Sequence, residues 1–173
     1  MPRITIDEGS EAIHLRALKR HRPEFAGPWQ AMRNAVHEQS ILPVRVREAA
    51  RYRIAIANGC LMCQAYRDPE AVRQQLPEGF YEAVSAYDGG DSDELSERER
   101  VTIEFVDRFG LAPQTIDDEF FARLRESFTE DEVVDLVFCT ARNVGFGRFT
   151  HVLGLDDSCE LSDADEREAH LVS

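Results

Sequence analysis

Apolar residues recur at intervals of three and four along almost the whole chain, with little sustained alternation, and this pattern restricts the fold more than any motif does. Spacing near 3.6 lines one side of a helix with apolar side chains, whereas a half-buried strand needs a period of two. The expected fold is therefore all-helical, and a strand would be a surprise. At 173 residues the chain suffices for one domain with a sizeable core of its own. Hydrophobic residues at 43% and charged residues at 31% are an ordinary globular mixture.

Local signals divide the chain into helices. Ser10 is placed to cap a first helix over about residues 11–21, ending near Pro23. A second helix from Pro23 to about Gln39 sets Phe25, Trp29, Met32 and Val36 on one face. Pro43 suits the first turn of a third, which runs to Ala57 before Asn58-Gly59 interrupts it. A fourth is expected to begin at the cysteines and continue to about Gln75, and a short one follows Pro77. "DGGDSDEL" reads as an acidic loop. "SERE" at Ser96–Glu99 and "TEDE" at Thr129–Glu132 are capping boxes, with Thr115 before "IDDEF" a weaker version. The helix from Thr129 to about Asn143 is expected to bury Val133, Val134, Leu136, Val137 and Phe138. "VGFGRFTHVLGL" should break at its glycines and restart as a short helix.

The net charge of −13, with Lys19 the single lysine, sets limits on partners. Nucleic-acid backbones and anionic membrane surfaces would both be repelled at long range, so neither is expected as a partner. No stretch approaches the roughly 20 apolar residues of a membrane span, and the start lacks the basic cap and apolar run of a secretory signal. A cytoplasmic location is the expectation. Four cysteines, two of them close together, are not the dense framework of a small secreted domain.

That close pair, Cys60 and Cys63 in "REAARYRIAIANGCLMCQAYR", admits three readings: a redox centre, half of a metal site, or two inert core thiols. Residues three apart share a helix face about 5–6 Å apart, so slight distortion of a first turn would allow a disulfide. A helix N-terminus also favours a thiolate. A closed zinc site needs four ligands, and the chain has neither a second such pair nor a paired histidine element to complete one. The redox and inert readings stay open on the residues alone. Cys139, in an apolar helix, reads as core, and Cys159, in the acidic tail, as exposed and incidental. If Asn58-Gly59 turns the chain between antiparallel helices, Glu48 faces the neighbourhood of Arg67, which lies one helical turn beyond Cys63. The spacing thus predicts a chain of charge from Glu48 through Arg67 to Cys63, against the blander reading of Glu48 as a solvated carboxylate.

Glu48, eleven residues, then Cys60-x-x-Cys63 resembles the alkylhydroperoxidase D-like branch of the carboxymuconolactone decarboxylase family. "SERERVTIEFVDRF", "FTEDEVVDLVF" and "GRFTHVLGLD" resemble its later segments in the same order. The resemblance covers about residues 23–156, leaving residues 1–22 as an N-terminal helix or arm and 157–173 as an acidic tail. It implies a single-domain helical bundle that forms homo-oligomers (dimer, trimer or hexamer). It also implies a thiol peroxidase or disulfide reductase without bound cofactor or metal, acting on a small peroxide or disulfide and reduced by an external dithiol.

Carried onto this chain, Cys63 attacks the peroxide, Cys60 resolves the sulfenic acid, and Glu48 ends a proton relay. The dipole argument alone favours Cys60 as the stronger thiolate. The family's histidine four residues after the second cysteine is Arg67 here, and the one often found just before that cysteine is Met62. Arginine does not give up its proton, so Arg67 supplies charge but no relay. His151 is a candidate for the missing base, although a lone histidine on a helix flank is more often a packing or surface residue. Tyr66 is a candidate donor to a sulfenic acid, or equally a packing residue. Two other classes stay in play. One is a lyase on a small lactone acid, as in the decarboxylase branch, which lacks the cysteine pair; the other is a non-catalytic oligomeric binding or stress protein with a decayed site.

Overall fold

The computed structural model of the protein describes residues 2–156. These form α1 (Ile13–His21), α2 (Pro23–Glu38), α3 (Val44–Ala57), α4 (Leu61–Ala65), α5 (Pro69–Arg73), α6 (Glu78–Ala86), α7 (Glu97–Leu111), a 3-10 turn (Pro113–Thr115), α8 (Asp118–Ser127) and α9 (Glu130–Val152). No strand occurs among the described residues, so the fold is all-helical as the periodicity requires. None of their helices is long and apolar enough to cross a membrane. Two compact units are distinguished, Ile41–Gly147 and the segments on either side of it.

In the flanking unit α1 packs on α2, where His14 and Trp29 meet edge to face at 6.1 Å between ring centroids. The Arg3 backbone N–H donates to Leu153 O at 2.9 Å. In the Ile41–Gly147 unit α3 lies along α7. Residues of α3 four apart, Val46, Ala50 and Ile54, enter one core cluster with Val101 and Phe105 of α7, Leu124 of α8 and Leu136 of α9. Ala49, on another face of α3, enters a second cluster with Phe80, Tyr81 and Val84 of α6 and Ile103 of α7.

Polar clamps add direction to this packing. Arg45 of α3 donates to both carboxylate oxygens of Glu99, at 2.6 and 3.2 Å. Glu99 closes the capping box of α7, accepting from Ser96 N at 2.8 Å. Arg53, at the other end of α3, grips Asp107 of α7 at 2.8 and 2.7 Å and donates to Val84 O of α6 at 3.0 Å. The second capping box also forms, with Thr129 N donating to Glu132 at 2.9 Å and Glu132 N to the Thr129 hydroxyl at 3.3 Å.

Five local expectations are corrected. Ser10 does not cap α1; the helix starts later, after Ala12, with no side-chain cap. Thr115 belongs to the 3-10 turn, and Asp117 caps α8 by accepting from Phe120 N. The helix expected from the cysteines to Gln75 is two short ones, because Pro69 disfavours helical backbone at Asp68 and the Asp68 carboxylate caps α5 instead. The glycines after Asn143 do not break α9, which runs unbroken to Val152. Gly147 lies against Asn58 there, and a Cβ would have to displace the Asn58 amide. Finally, α9 buries Val133 and Leu136 as expected, but Val134 and Phe138 are 68% and 52% exposed.

Cys139 is a core residue, 6% exposed, and burial followed by its bond to Asp135 pushes its thiol up to about 12. Cys159 lies outside the described residues.

The close approach at Gly147 sets a test. Gly147→Ala overpacks against Asn58 and should lower stability by about 1–3 kcal/mol in chemical denaturation. Gly110→Ala, where a Cβ meets nothing within 4 Å, should be neutral or stabilising by up to about 1 kcal/mol. Equal effects of the two substitutions would contradict the packing described.

Candidate active site

The end of α3 is fixed by a backbone lock. Gly59 has φ +65, a left-handed conformation that favours glycine. Its N–H donates to Ile56 O at 2.9 Å and the Cys60 N–H to Ala55 O at 3.1 Å, the paired bonds of a Schellman motif. Cys60 is thus held by the helix before it. It also serves the helix after it, as N-cap of α4, its sulfur accepting from Cys63 N at 3.2 Å.

Cys60 and Cys63 are joined as a disulfide with Cα atoms 5.3 Å apart, inside the usual range. The extended backbone of Cys60, φ −83 and ψ 97, supplies the distortion that three-residue helical spacing requires. Cys60 is 3% exposed, and Cys63 is partly exposed. Because α4 ends at Ala65, the pair does not head a long helix. The macrodipole expected to favour a thiolate at Cys60 shrinks accordingly.

Glu48 is 1% exposed, yet it is a fully partnered carboxylate and not a solvated one. It accepts from Arg51 Nε at 2.5 Å, from Arg51 Nη2 at 3.0 Å and from the Tyr81 hydroxyl at 2.9 Å. The same guanidinium turns outward to the cysteine segment: Nη1 donates to Cys63 O at 2.5 Å and Nη2 to Tyr66 O at 3.0 Å. One arginine therefore ties a buried carboxylate to the carbonyls that close α4. Burial first, then the charge of Glu48 and its hydrogen bond, hold the Tyr81 phenol above its ordinary range, so it stays a donor.

The expected chain from Glu48 through Arg67 to Cys63 is corrected on this geometry. The link is Arg51, three residues after Glu48 on the same helix. Arg67 follows the extended Tyr66 and so is not one helical turn beyond Cys63. It pairs with Glu78 at 2.8 and 3.2 Å, and donates to Gln64 O at 2.6 Å and Tyr66 O at 3.0 Å. The bond to Glu78 raises its pKa further, so it is a fixed cation. Its guanidinium stacks on the Tyr81 ring at 3.9 Å, reaching Glu48 through that phenol and not directly.

Tyr66 is partly buried, its ring 5.3 Å from the Arg51 guanidinium carbon. His151 belongs to the flanking unit, 66% exposed, with Nδ1 2.7 Å from Asp156. Among the described residues no group of three or more His, Cys, Asp or Glu side chains is arranged to hold a metal ion. Sequence reasoning missed Arg51 and Tyr81. The three-residue step from Glu48 was a usable signal for Arg51, whereas nothing local marked Tyr81.

No profile of a described protein family matches the chain. An uncharacterized protein of Bacillus subtilis, YdfG, is 25% identical over 118 residues, 68% of this chain and 79% of that protein. A solved protein of unknown function from Agrobacterium tumefaciens, with antioxidant defence protein AhpD as its provisional assignment, is 24% identical with a TM-score of 0.67, over 78% of this chain and 91% of that one. The debrominase Bmp8 superposes with a TM-score of 0.70 at 18% identity, over 91% of this chain and 83% of that one. It has also been solved with 2,3,4-tribromopyrrole in a cysteine-to-alanine variant. Other neighbours are described as peroxidase-related or as an alkylhydroperoxidase AhpD core. The chain therefore has the alkylhydroperoxidase D-like helical fold, one that also carries debrominase chemistry.

The Glu48–Arg51–Tyr81 cluster sets a stability test. Arg51→Gln strands a buried carboxylate and should cost about 3–5 kcal/mol, and Tyr81→Phe about 1–3 kcal/mol. Adding Glu48→Gln to Arg51→Gln should recover part of the loss in denaturant unfolding. Simple additivity of the two would contradict the pairing.

Proposed function

We propose that the protein is a thiol-dependent oxidoreductase that reduces peroxides or disulfides through Cys60 and Cys63 without a bound cofactor. The observation that carries the reading is the disulfide between a sealed Cys60 and a more open Cys63, on a turn fixed by a Schellman lock on one side and Arg51 on the other. Neighbours of peroxidase-related description support it at the level of the fold's known chemistries.

In this reading the Cys63 thiolate attacks the terminal peroxide oxygen. The S–O bond forms as the O–O bond breaks, leaving a sulfenic acid and an alkoxide that takes a proton from water. The Cys60 thiol then displaces hydroxide from that sulfur, its proton completing a water molecule, and the pair is oxidised to the disulfide. An external dithiol returns both electrons and both protons by thiol–disulfide exchange. The exposure of the two cysteines suits these roles, since the attacking sulfur must meet substrate and the resolving one need not. Glu48 acts as a positioning residue through Arg51. Arg67 contributes positive charge near the turn but moves no proton. A reducing cytoplasm would supply the dithiol donor.

Turnover of an organic hydroperoxide with dithiothreitol as donor tests the proposal. Cys63→Ser should abolish it. Pre-reduced Cys60→Ser protein, freed of dithiothreitol before peroxide is added, should consume a single equivalent of peroxide per chain and then stop, with Cys63 held as sulfenic acid. A Cys63→Ser protein that still turns over would remove the thiol reading and leave the lyase and binding alternatives.

A further inference from the structure

In the Arg45–Glu99 and Arg51–Glu48 pairs the carboxylate is the sealed partner, its side chain 4% and 1% exposed. At Arg67 the order is reversed. Its side chain is 23% exposed, and that of its partner Glu78, the first residue of α6, is 70% exposed. The guanidinium is built in from its other sides. Nη1 donates to Gln64 O and Tyr66 O, and the guanidinium carbon lies 3.9 Å from the Tyr81 ring centroid and 5.5 Å from that of Tyr52. The remaining edge, Nε and Nη2, meets the two oxygens of Glu78 at 3.2 and 2.8 Å. That two-point arrangement is how a guanidinium recognises a carboxylate of any origin.

The two members of this pair are held unequally. An ion pair with so exposed a partner contributes little, so Glu78 can turn into water at small cost while Arg67 stays on its rings and carbonyls. The site also adjoins the cysteine turn. Tyr66 O accepts from both Arg51 Nη2 and Arg67 Nη1, at 3.0 Å each, and Arg51 Nη1 donates to Cys63 O. The Arg67 cation therefore stands one carbonyl away from the arginine that braces the attacking cysteine. We infer that Arg67 anchors the carboxylate of an anionic hydroperoxide or disulfide substrate, with Glu78 as the displaceable group that occupies the same edge until substrate arrives. The inference takes its reaction from the thiol reading of Cys60 and Cys63 and adds the charge class of the substrate. A chain with a net charge of −13 repels anions at long range, so an anionic substrate needs a local cation of this kind.

Cumene hydroperoxide and its para-carboxylate share one reacting centre and differ in charge, so their kcat/KM ratio in the full chain with dithiothreitol tests the anchor. About 0.15 M salt screens the net charge and leaves the ratio to report the local site. The wild type should favour the carboxylate about fivefold or more, chiefly through KM. Glu78→Gln should raise that ratio about threefold further, because the competing carboxylate is gone; a purely structural ion pair would give no such gain. Arg67→Gln should bring the ratio to one or below, and Arg67→Lys, which keeps the charge without the two-point geometry, should restore part of it. Equal handling of the two hydroperoxides by wild type and Glu78→Gln alike would overturn the inference. A second titration, of p-isopropylbenzoate against p-isopropylbenzamide followed by NMR, reads binding without any peroxide. Selective binding of the benzoate, strengthened by Glu78→Gln, with neither hydroperoxide reduced would support the anchor and refute the peroxidase reading. No preference for the benzoate in either protein would overturn the anchor whatever the turnover.

Discussion

A carboxylate that is 1% exposed inside a helical bundle must be matched in charge and hydrogen bonding, or it destabilises everything packed around it. Glu48 is matched by Arg51 and Tyr81, which brings α6 against α3 and leaves part of the Arg51 guanidinium pointing at α4. The carbonyls it holds there, those of Cys63 and Tyr66, close a helix too short to be stable on its own. The cysteine turn and the buried ion pair thus form one structural unit. A change that disturbs the carboxylate also loosens the segment that carries the sulfurs.

The wider fold repeats the device. Along α3, Arg45 clamps Glu99, Arg51 clamps Glu48, and Arg53 clamps Asp107, each with two donors on one carboxylate. Arg45 and Arg53 tie α3 to α7, while Arg51 ties it to α4. A planar guanidinium meets a carboxylate in this two-point way and an ammonium does not, which is a structural use for a chain whose basic residues are almost all arginine. The apolar clusters supply most of the driving force. The clamps fix which helix faces which, and so where the end of α3 delivers Cys60.

Much of this was legible in the sequence. Helical periodicity gave the fold class, Asn58-Gly59 the end of α3, and the two capping boxes the starts of α7 and α9. Cys60, Cys63 and Glu48 stood out by spacing. The failures came where a local rule met a tertiary contact or a competing local rule. Arg67 was placed by extending a helix through Asp68-Pro69, although that dipeptide itself signals a break. Gly145 and Gly147 looked like breakers, yet helix propensity is a weak prior, and the approach of Asn58 explains Gly147 as a packing residue. Tyr81 lies 33 residues from Glu48, and no periodicity relates the two. Val134 and Phe138 were assigned to the core because hydrophobicity alone does not distinguish a buried helix face from an exposed one.

The proposed function rests on a single claim: that the two sulfurs of the α3–α4 turn, joined as a disulfide and braced by Arg51 and Glu48, form one reversible two-electron couple. Equilibration of the intact protein against graded dithiothreitol redox buffers, followed by thiol labelling and mass analysis of each cysteine, tests it most directly. The account predicts one reversible transition in which Cys60 and Cys63 gain and lose protection together while Cys139 takes no part. Independent labelling of Cys60 and Cys63 at every potential, in a protein that remains folded, would contradict it.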